Sequence, residues 1–399
     1  MGDHLAQVVG ERIRFYRTAA RRTKAVVAGL AGITPDYLYQ IERGQKVPTL
    51  AVLAELAAVL HVDLSDLLGV VPTPPQQRAD GAAGDALYRA LVNPATPSPS
   101  QHGSEAVRGA VLDAWRTWQT ARRRYTALTA CLPALIGETE AALRDADAAS
   151  RRAALGSASD LYCLLRTVTK RVGRGDLSLL VADRAVRAAE AADNSFRLAG
   201  ARWNLTQVLL ADGQTEGAEA VAMHAVDDLR PFRANGNLDA LALSGALLLI
   251  AAIAAVRKGD AWAARDRLRL ATPLAEKTGE RNTSWTAFGP TNVAMYAVSI
   301  EVESGDAVEG LRLAERIQPG QSFSIERRVA FRLDQARGYQ QRRDYARSLQ
   351  LLQIAAREAP EDIQFRPLAH KLLRTTIERG QRSVSVEASR LANRVGLPH

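Results

Sequence analysis

Cysteine is scarce: the 399 residues hold two, Cys131 and Cys163. Two cysteines without ligand spacing build neither a disulfide framework nor a thiolate metal site, and a reduced, cytoplasmic setting fits. The six histidines (His4, His61, His102, His224, His370 and His399) are scattered, with no pair at helical ligand spacing. No metal and no cofactor are therefore expected. His-Glu-x-x-His, Gly-x-Ser-x-Gly and the phosphate-binding glycine loop are all missing, so no residue constellation supports an enzyme. Acidic pairs such as Glu138/Glu140 and Asp145/Asp147 stand among mixed charges and read as a solvated face. The opening stretch MGDHLAQVVGERIR has no apolar core of a secretory signal, and Ala6 breaks the myristoylation pattern. One charge-free run reaches 17 residues, ALALSGALLLIAAIAAV at 240–256. That nearly spans a bilayer. Alanine, Ser244 and Gly245 dilute it, Asp239 and Arg257-Lys258 bound it tightly, and no membrane partner is expected.

What is present is apolar content of 47%, ample for sizeable cores, and an excess of basic residues, 52 Lys and Arg against 43 Asp and Glu. The net charge of +9 favours acidic partners, and placement sharpens the point. Arg12, Arg14, Arg17, Arg21, Arg22, Lys24, Arg43 and Lys46 lie in or beside the first helices, whereas Glu55, Asp63 and Asp66 lie further on. A basic face and an acidic back are expected. Residues 23–48, TKAVVAGLAGITPDYLYQIERGQKVP, read as two short helices around the turn Ala31-Gly32-Ile33. Thr34 is a good N-cap, Pro35 a good first helical residue and Gly44 a good terminator. On the second helix Leu38 and Ile41 point inward, while Pro35, Asp36, Gln40 and Arg43 point outward. An exposed face of that kind suits a helix laid in the DNA major groove.

Gly32-Ile33-Thr34, Tyr37-Leu38, Gln40-Ile41-Glu42-Arg43-Gly44 and Pro48 resemble the phage-repressor (Cro/C1, or XRE) type of DNA-binding domain. The likeness extends over residues 8–68, through Ile13-Arg14, Arg17, Leu53, Leu56-Ala57, Leu60 and Leu64 to Leu68. It implies a five-helix head binding a double-stranded operator as a homodimer, with Arg17 and Glu42 as a structural pair. Arg22, Lys24, Thr34, Arg43 and Lys46 are then expected at phosphates, and Pro35, Asp36, Tyr37 and Gln40 at base edges. Departures are Lys24 where Gln is common, Gly29 inside the second helix, and Val26 where an acid is usual.

Residues 1–69 thus form a head, and 70–104, rich in Pro, Gly and Ser, a linker in which GDALYRALV can make a short helix. From 105 to 399 the pattern is helix after helix. Small polar turns recur at Gly175-Asp176, Gly213-Gln214, Gly259-Asp260, Gly305-Asp306 and Arg343-Asp344, with Arg123-Arg124-Tyr125 as an earlier copy. Five residues past the turn the side chain is small (Ala218, Ala264, Gly310, Ser348), with Leu180 the exception; twelve past it Ala225, Ala271 and Ala355 agree, and Arg187 and Ile317 do not. The spacing resembles the tetratricopeptide repeat, degenerate and lengthened. Ser383 to Val395 can cap the array. The fold class expected is all-α: a Cro/C1-type helix-turn-helix head plus a TPR-like α-solenoid.

With Ala114-Trp115, Arg124-Tyr125 and WTAFGPTN at 285–292, the whole chain resembles a large group of actinobacterial transcriptional regulators, for most of which no ligand is assigned. Phe288-Gly289-Pro290 must break a helix. Two readings of that stretch stand. Trp285, Phe288, Thr291, Asn292 and Tyr296 line a pocket for a small molecule or peptide, or Pro290 starts a helix and Trp285 packs into the next repeat. The expected function is a sequence-specific transcriptional regulator whose repeats dimerise and sense an effector. The alternative is a protein-interaction scaffold with an incidental DNA-binding head.

Overall fold

The computed structural model describes residues 2–20, 22–60, 62, 64–68, 80–92 and 103–397. Arg21, Asp63, His61, His102, His399 and most of the 70–104 linker lie outside them, as do the side chains of His4 and Asp66. Every regular element among the described residues is helical. The chain divides into two compact units, Met1–Gly81 and Ala82–His399.

The first unit holds α1 (Gly2–Ala19), α2 (Lys24–Leu30), α3 (Pro35–Glu42), α4 (Leu50–Leu60) and α5 (Leu64–Leu67). Threonines start three of them. Thr23, Thr34 and Thr49 each accept a bond from the amide three residues on, at 3.3, 3.1 and 3.4 Å. After α3 the Gly44 amide returns to the Ile41 carbonyl and the Gln45 amide to the Gln40 carbonyl, both at 2.9 Å. Gly44, at φ +70°, takes the left-handed turn this closure requires. Val9, Ile13, Val27, Leu38, Ile41, Leu53, Leu56 and Leu67 form the core. Where α1 crosses α3, a β-carbon on Gly10 would lie 2.2 Å from the Ile41 carbonyl oxygen, so any side chain there must push the two helices apart.

The second unit begins within α6 (Asp80–Val92), the short helix of GDALYRALV, whose Leu87 and Leu91 are buried in its core. Hairpins follow: α7 (Ser104–Thr120) with α8 (Arg124–Asp145), α9 (Arg151–Arg171) with α10 (Gly175–Ala191), and α11 (Ser195–Ala211) with α12 (Thr215–Asp228). After the short α13 (Arg230–Ala234) come α14 (Leu238–Arg257) with α15 (Ala261–Thr278), α16 (Pro290–Ser304) with α17 (Ala307–Ala314), and α18 (Ile325–Gln341) with α19 (Tyr345–Glu358). The one-turn-and-a-half α20 (Pro360–Phe365) leads to α21 (Pro367–Arg379) and α22 (Arg382–Arg394), which close the array. Each hairpin also packs on the next, as a helical-repeat solenoid does.

The small residues sit where hairpin partners touch. Ala218, Ala264 and Ser348 are fully buried, and a β-carbon on Gly310 would come within 2.8 Å of Val302. One register needs correction. The turn between α9 and α10 pivots on Gly173, at φ +78°, and not on Gly175, which opens α10. Counting from Gly173, the small residues become Ser178 and Ala185, both buried, and the exceptions Leu180 and Arg187 disappear. Ile317 remains an exception because α17 ends at Ala314. The two longest spacings also have causes: α13 is inserted in one, and the excursion from Gly279 to Gly289 in the other.

The long apolar run is α14. By length and composition it could cross a membrane, yet 94% of its apolar window is buried among its neighbours. A helix touched on all sides by α11, α12, α15 and α16 has no face left to be polar.

Candidate nucleic-acid interface and a basic cavity

In the head the outward face of α3 presents Pro35 and Asp36 exposed and Gln40 half-buried, with Gln40 Nε2 donating to Asp36 Oδ2 at 3.1 Å. Cations surround it. Lys24 Nζ sits 4.3 Å over the Tyr39 ring, and the Arg43 guanidinium lies 5.6 Å from the same ring. Lys46 Nζ is 5.7 Å from the Tyr37 ring, and Tyr37 itself packs on the head's core. Cation–π contacts at exposed sites contribute only about 0.5–1 kcal/mol, but here they hold three long side chains beside one helix. Thr34 caps α3, which leaves its hydroxyl at the helix N-terminus, where anions are favoured.

Behind this face Arg17 and Glu42 form a two-pronged pair, Nε to Oε1 at 2.5 Å and Nη2 to Oε2 at 3.0 Å, and both residues are buried. Arg17 also donates to the Arg22 carbonyl at 3.0 Å, and Lys24 stands 3.8 Å from Glu42. Arg22 departs from its expected place at a phosphate. Its guanidinium donates to the Val59 carbonyl at 2.7 Å, capping the end of α4. A cation is satisfied there by the last carbonyls and the helix dipole.

In the repeat unit the five residues expected around a pocket do not gather around one. Trp285 stacks on Trp115 of α7, centroids 5.4 Å apart and planes 3° from parallel. Gln119 of the same helix donates to the Trp285 carbonyl at 3.1 Å, and Asn282 donates back to Gln119 at 2.5 Å. Phe288 is fully buried in a notch of α14 that exists because residue 245 is glycine; a β-carbon there would be 2.0 Å from the ring. Thr291 and Asn292 are buried as well. The stretch before Pro290 therefore straps α7 to α14, and of the five Tyr296 alone lines the inner open space of the array.

That space is a cavity of about 280 Å³ on the inner side of the array, walled by α9, α11, α14, α16, α18 and the start of α21. Its cations are Lys170, Arg171, Arg257, Arg327 and Arg366, and its acids are Glu303 and Asp334. Sequence reasoning missed them. Lys170-Arg171 and Arg257 end helices, where basic residues look like complements to the helix dipole, and nothing local marks Arg327 or Arg366.

Beside the cavity the array curves far enough for its first hairpin to meet its last third. Glu326 of α18 accepts from Trp118 of α7 at 3.2 Å and from Arg171 at 3.0 Å, and stands 3.3 Å from Arg366. Those guanidinium groups hold its carboxyl far below the usual range, outweighing the opposing effect of burial. Asp362 of α20 takes Arg366 at 2.8 Å and Arg124 of α8 at 2.6 Å, and Glu361 accepts from the Tyr125 amide at 2.8 Å.

Burial, helped by Arg171 and Arg166, pulls the Lys170 ammonium down to about 7. Unfolded lysine titrates near 10.4, so between about pH 7 and 10.4 the folded chain binds fewer protons than the unfolded one. The penalty of a buried charge is complete below pH 7 and fades as pH rises. Lys170→Met is therefore expected to stabilise the repeat unit at pH 6.5, by a margin that shrinks at pH 9.5. Urea unfolding at the two pH values measures it, and an equal margin at both would contradict the buried ammonium.

A bundle whose second and third helices turn about Gly32, with an exposed α3 between cations, defines a DNA-binding helix-turn-helix head. A family model described as a helix-turn-helix domain matches residues 8–68. The transcriptional regulator ClgR of Mycobacterium tuberculosis is 30% identical over 105 residues, covering 24% of this chain and 94% of ClgR. YazB of Bacillus subtilis, an uncharacterized HTH-type transcriptional regulator, is 34% identical over 62 residues, 16% of this chain and 90% of YazB. Through its head the chain belongs to the helix-turn-helix transcriptional regulators and is a DNA-binding protein of that class. Among solved structures, a Rap protein complexed with Competence and Sporulation Factor overlaps with TM-score 0.43 at 11% identity, covering 96% of this chain and 99% of that one. PlcR of Bacillus thuringiensis, in complex with the peptide PapR7 and DNA, overlaps with TM-score 0.30 at 14% identity, covering 68% and 95%. Overlaps this loose carry no ligand or partner over to this chain.

Proposed function

We propose that the protein is a cytoplasmic, non-enzymatic regulator that reads a specific operator as a homodimer and answers to an effector bound in its repeat array. The observation that carries the reading is the exposed α3 face, with Asp36 and Gln40 flanked by Lys24, Arg43 and Lys46. Gln40 suits adenine and Asp36 a cytosine amino group, while Pro35 and Tyr37 shape the approach to the base edges. Lys24, Arg43, Lys46 and the Thr34 end of α3 take phosphates. Arg22 is left out because the Val59 carbonyl already holds it. A dimer places two such helices about one turn of duplex apart on a two-fold symmetric site. We divide the chain accordingly into a head to residue 69 and a sensing array from 105, joined by a stretch whose α6 is already part of the array's core.

Binding should be strongly electrostatic, log affinity falling with log salt by about 0.9 per phosphate neutralised. Lys46→Ala is expected to flatten the slope by roughly one such unit and to weaken all sequences alike. Titration of an operator fragment across a salt series reads both, and an unchanged slope would remove Lys46 from the backbone.

A further inference from the structure

The cavity in the repeat array has an unbalanced inner surface. Two of its arginines, Arg171 and Arg366, are committed to Glu326, and Arg257 is committed to Glu303 at 3.2 Å. Two cations are left over. Lys170 Nζ meets only a neutral partner, the Gln207 carbonyl, at 3.2 Å. Arg327 forms no ion pair among the described residues, and its Nε and Nη2 are buried with no hydrogen-bond partner. Its guanidinium lies 4.1 Å over the Tyr296 ring, which fixes the direction of the fork. A buried donor without an acceptor is destabilising, and more so when charged. Of the acids in the wall, Asp334 accepts from the Ser299 hydroxyl and forms no ion pair with Arg327 among the described residues, and burial pushes its carboxyl upward.

Part of the lining is apolar. Ile250, Ile253 and Leu333 face the same space. A volume of about 280 Å³ stands at the lower end of small-molecule sites, which run to ~300–1,000 Å³. Unsatisfied cations and branched aliphatic side chains in one lining select a molecule with a charged head and an apolar body.

We propose that this cavity binds a small organic anion, its carboxylate or phosphate head held by Arg327 and Lys170 and its apolar body by Ile250, Ile253 and Leu333. The inference rests on reading the repeat array as the sensing part of the regulator. Arg171 and Arg366 line the cavity and also hold Glu326, which ties α18 to α7 through Trp118. An anion arriving beside them competes with Glu326 for the same guanidinium groups. That competition gives the ligand unequal affinity for the closed and loosened arrays, without which binding shifts nothing.

The test is thermal unfolding of the full chain with hexanoate, hexyl phosphate and 1-hexanol as probes at millimolar concentration. All five tryptophans lie in the repeat unit, so their fluorescence follows that unit alone. A ligand that binds the folded state raises the melting temperature in proportion to its saturation. One of the two anions should raise it by several degrees and the alcohol should not, and the better anion identifies the head group. Arg327→Gln and Lys170→Met should each weaken the effect at least tenfold, with Arg327→Lys retaining part of it. No shift with either anion, an equal shift with hexanol, or an undiminished shift in both variants would overturn the proposal. Operator affinity is measured in parallel on the same samples. Loss of DNA binding altogether would overturn the regulator reading while leaving the cavity result to stand or fall alone.

Discussion

Asp362→Ala should destabilise the repeat unit by about 3–5 kcal/mol, the usual result of removing one partner from a fully buried ion pair. Asp362 is fully buried and faces two guanidinium groups, Arg124 at 2.6 Å and Arg366 at 2.8 Å, with the Tyr125 hydroxyl at 3.3 Å. Arg124 is fully buried as well and stacks 4.5 Å from the Trp118 ring, so it cannot swing out to water. Alanine would leave Arg124 without its ion-pair partner and Arg366 with Glu326 alone, at the junction between α8 and α20. Asp362→Asn keeps the shape and removes the charge, and should cost nearly as much. Urea unfolding followed by tryptophan fluorescence reads this directly, because Trp118 sits in the cluster. A loss below about 1 kcal/mol for both variants would mean that the first hairpin is not held to α20 by this pair.

The second large effect belongs to the head. Glu42→Ala should cost up to about 3–5 kcal/mol, since Arg17 loses both of its bonds to the carboxylate and keeps only the Arg22 carbonyl, and Lys24 loses a neighbour 3.8 Å away. Arg17→Ala should cost less than Glu42→Ala, because Lys24 remains to balance the stranded carboxylate. The double variant should be less damaging than the sum of the singles, as residues in one ion pair require. The readout is amide hydrogen exchange in α1 and α3 of the full chain, which separates the head from the repeats. Strictly additive losses would show that the two side chains do not support each other.

How far the sequence could be read depended on how local the cause was. Thr34, Pro35 and Gly44 carry helix start, first turn and stop in their own chemistry, and α3 runs as those residues dictate. The all-helical pattern and the hairpins likewise follow from local periodicity. The register of one hairpin did not, because Gly173-Arg174 and Gly175-Asp176 both look like turns and only the positive φ of Gly173 separates them. Phe288 announced an aromatic surface but not its direction; that is fixed by the missing side chain of Gly245, on another helix. Arg22 looked like one more cation on a basic edge until α4 brought the Val59 carbonyl to it. The cavity was hidden most deeply. Lys170, Arg257 and Arg327 lie on three separate helices and Arg366 in the joint between α20 and α21, and only the curvature of the array brings them into one wall.

The central claim is that α3 reads base edges. Selection of the full-length protein against a random duplex library, followed by affinities on the enriched and a scrambled sequence, tests it most directly. One two-fold symmetric motif should emerge. Gln40→Ala should relax preference at a single position of each half-site by about 1–3 kcal/mol while leaving affinity for the scrambled duplex unchanged. Enrichment of no motif, or equal weakening on both duplexes, would contradict the account.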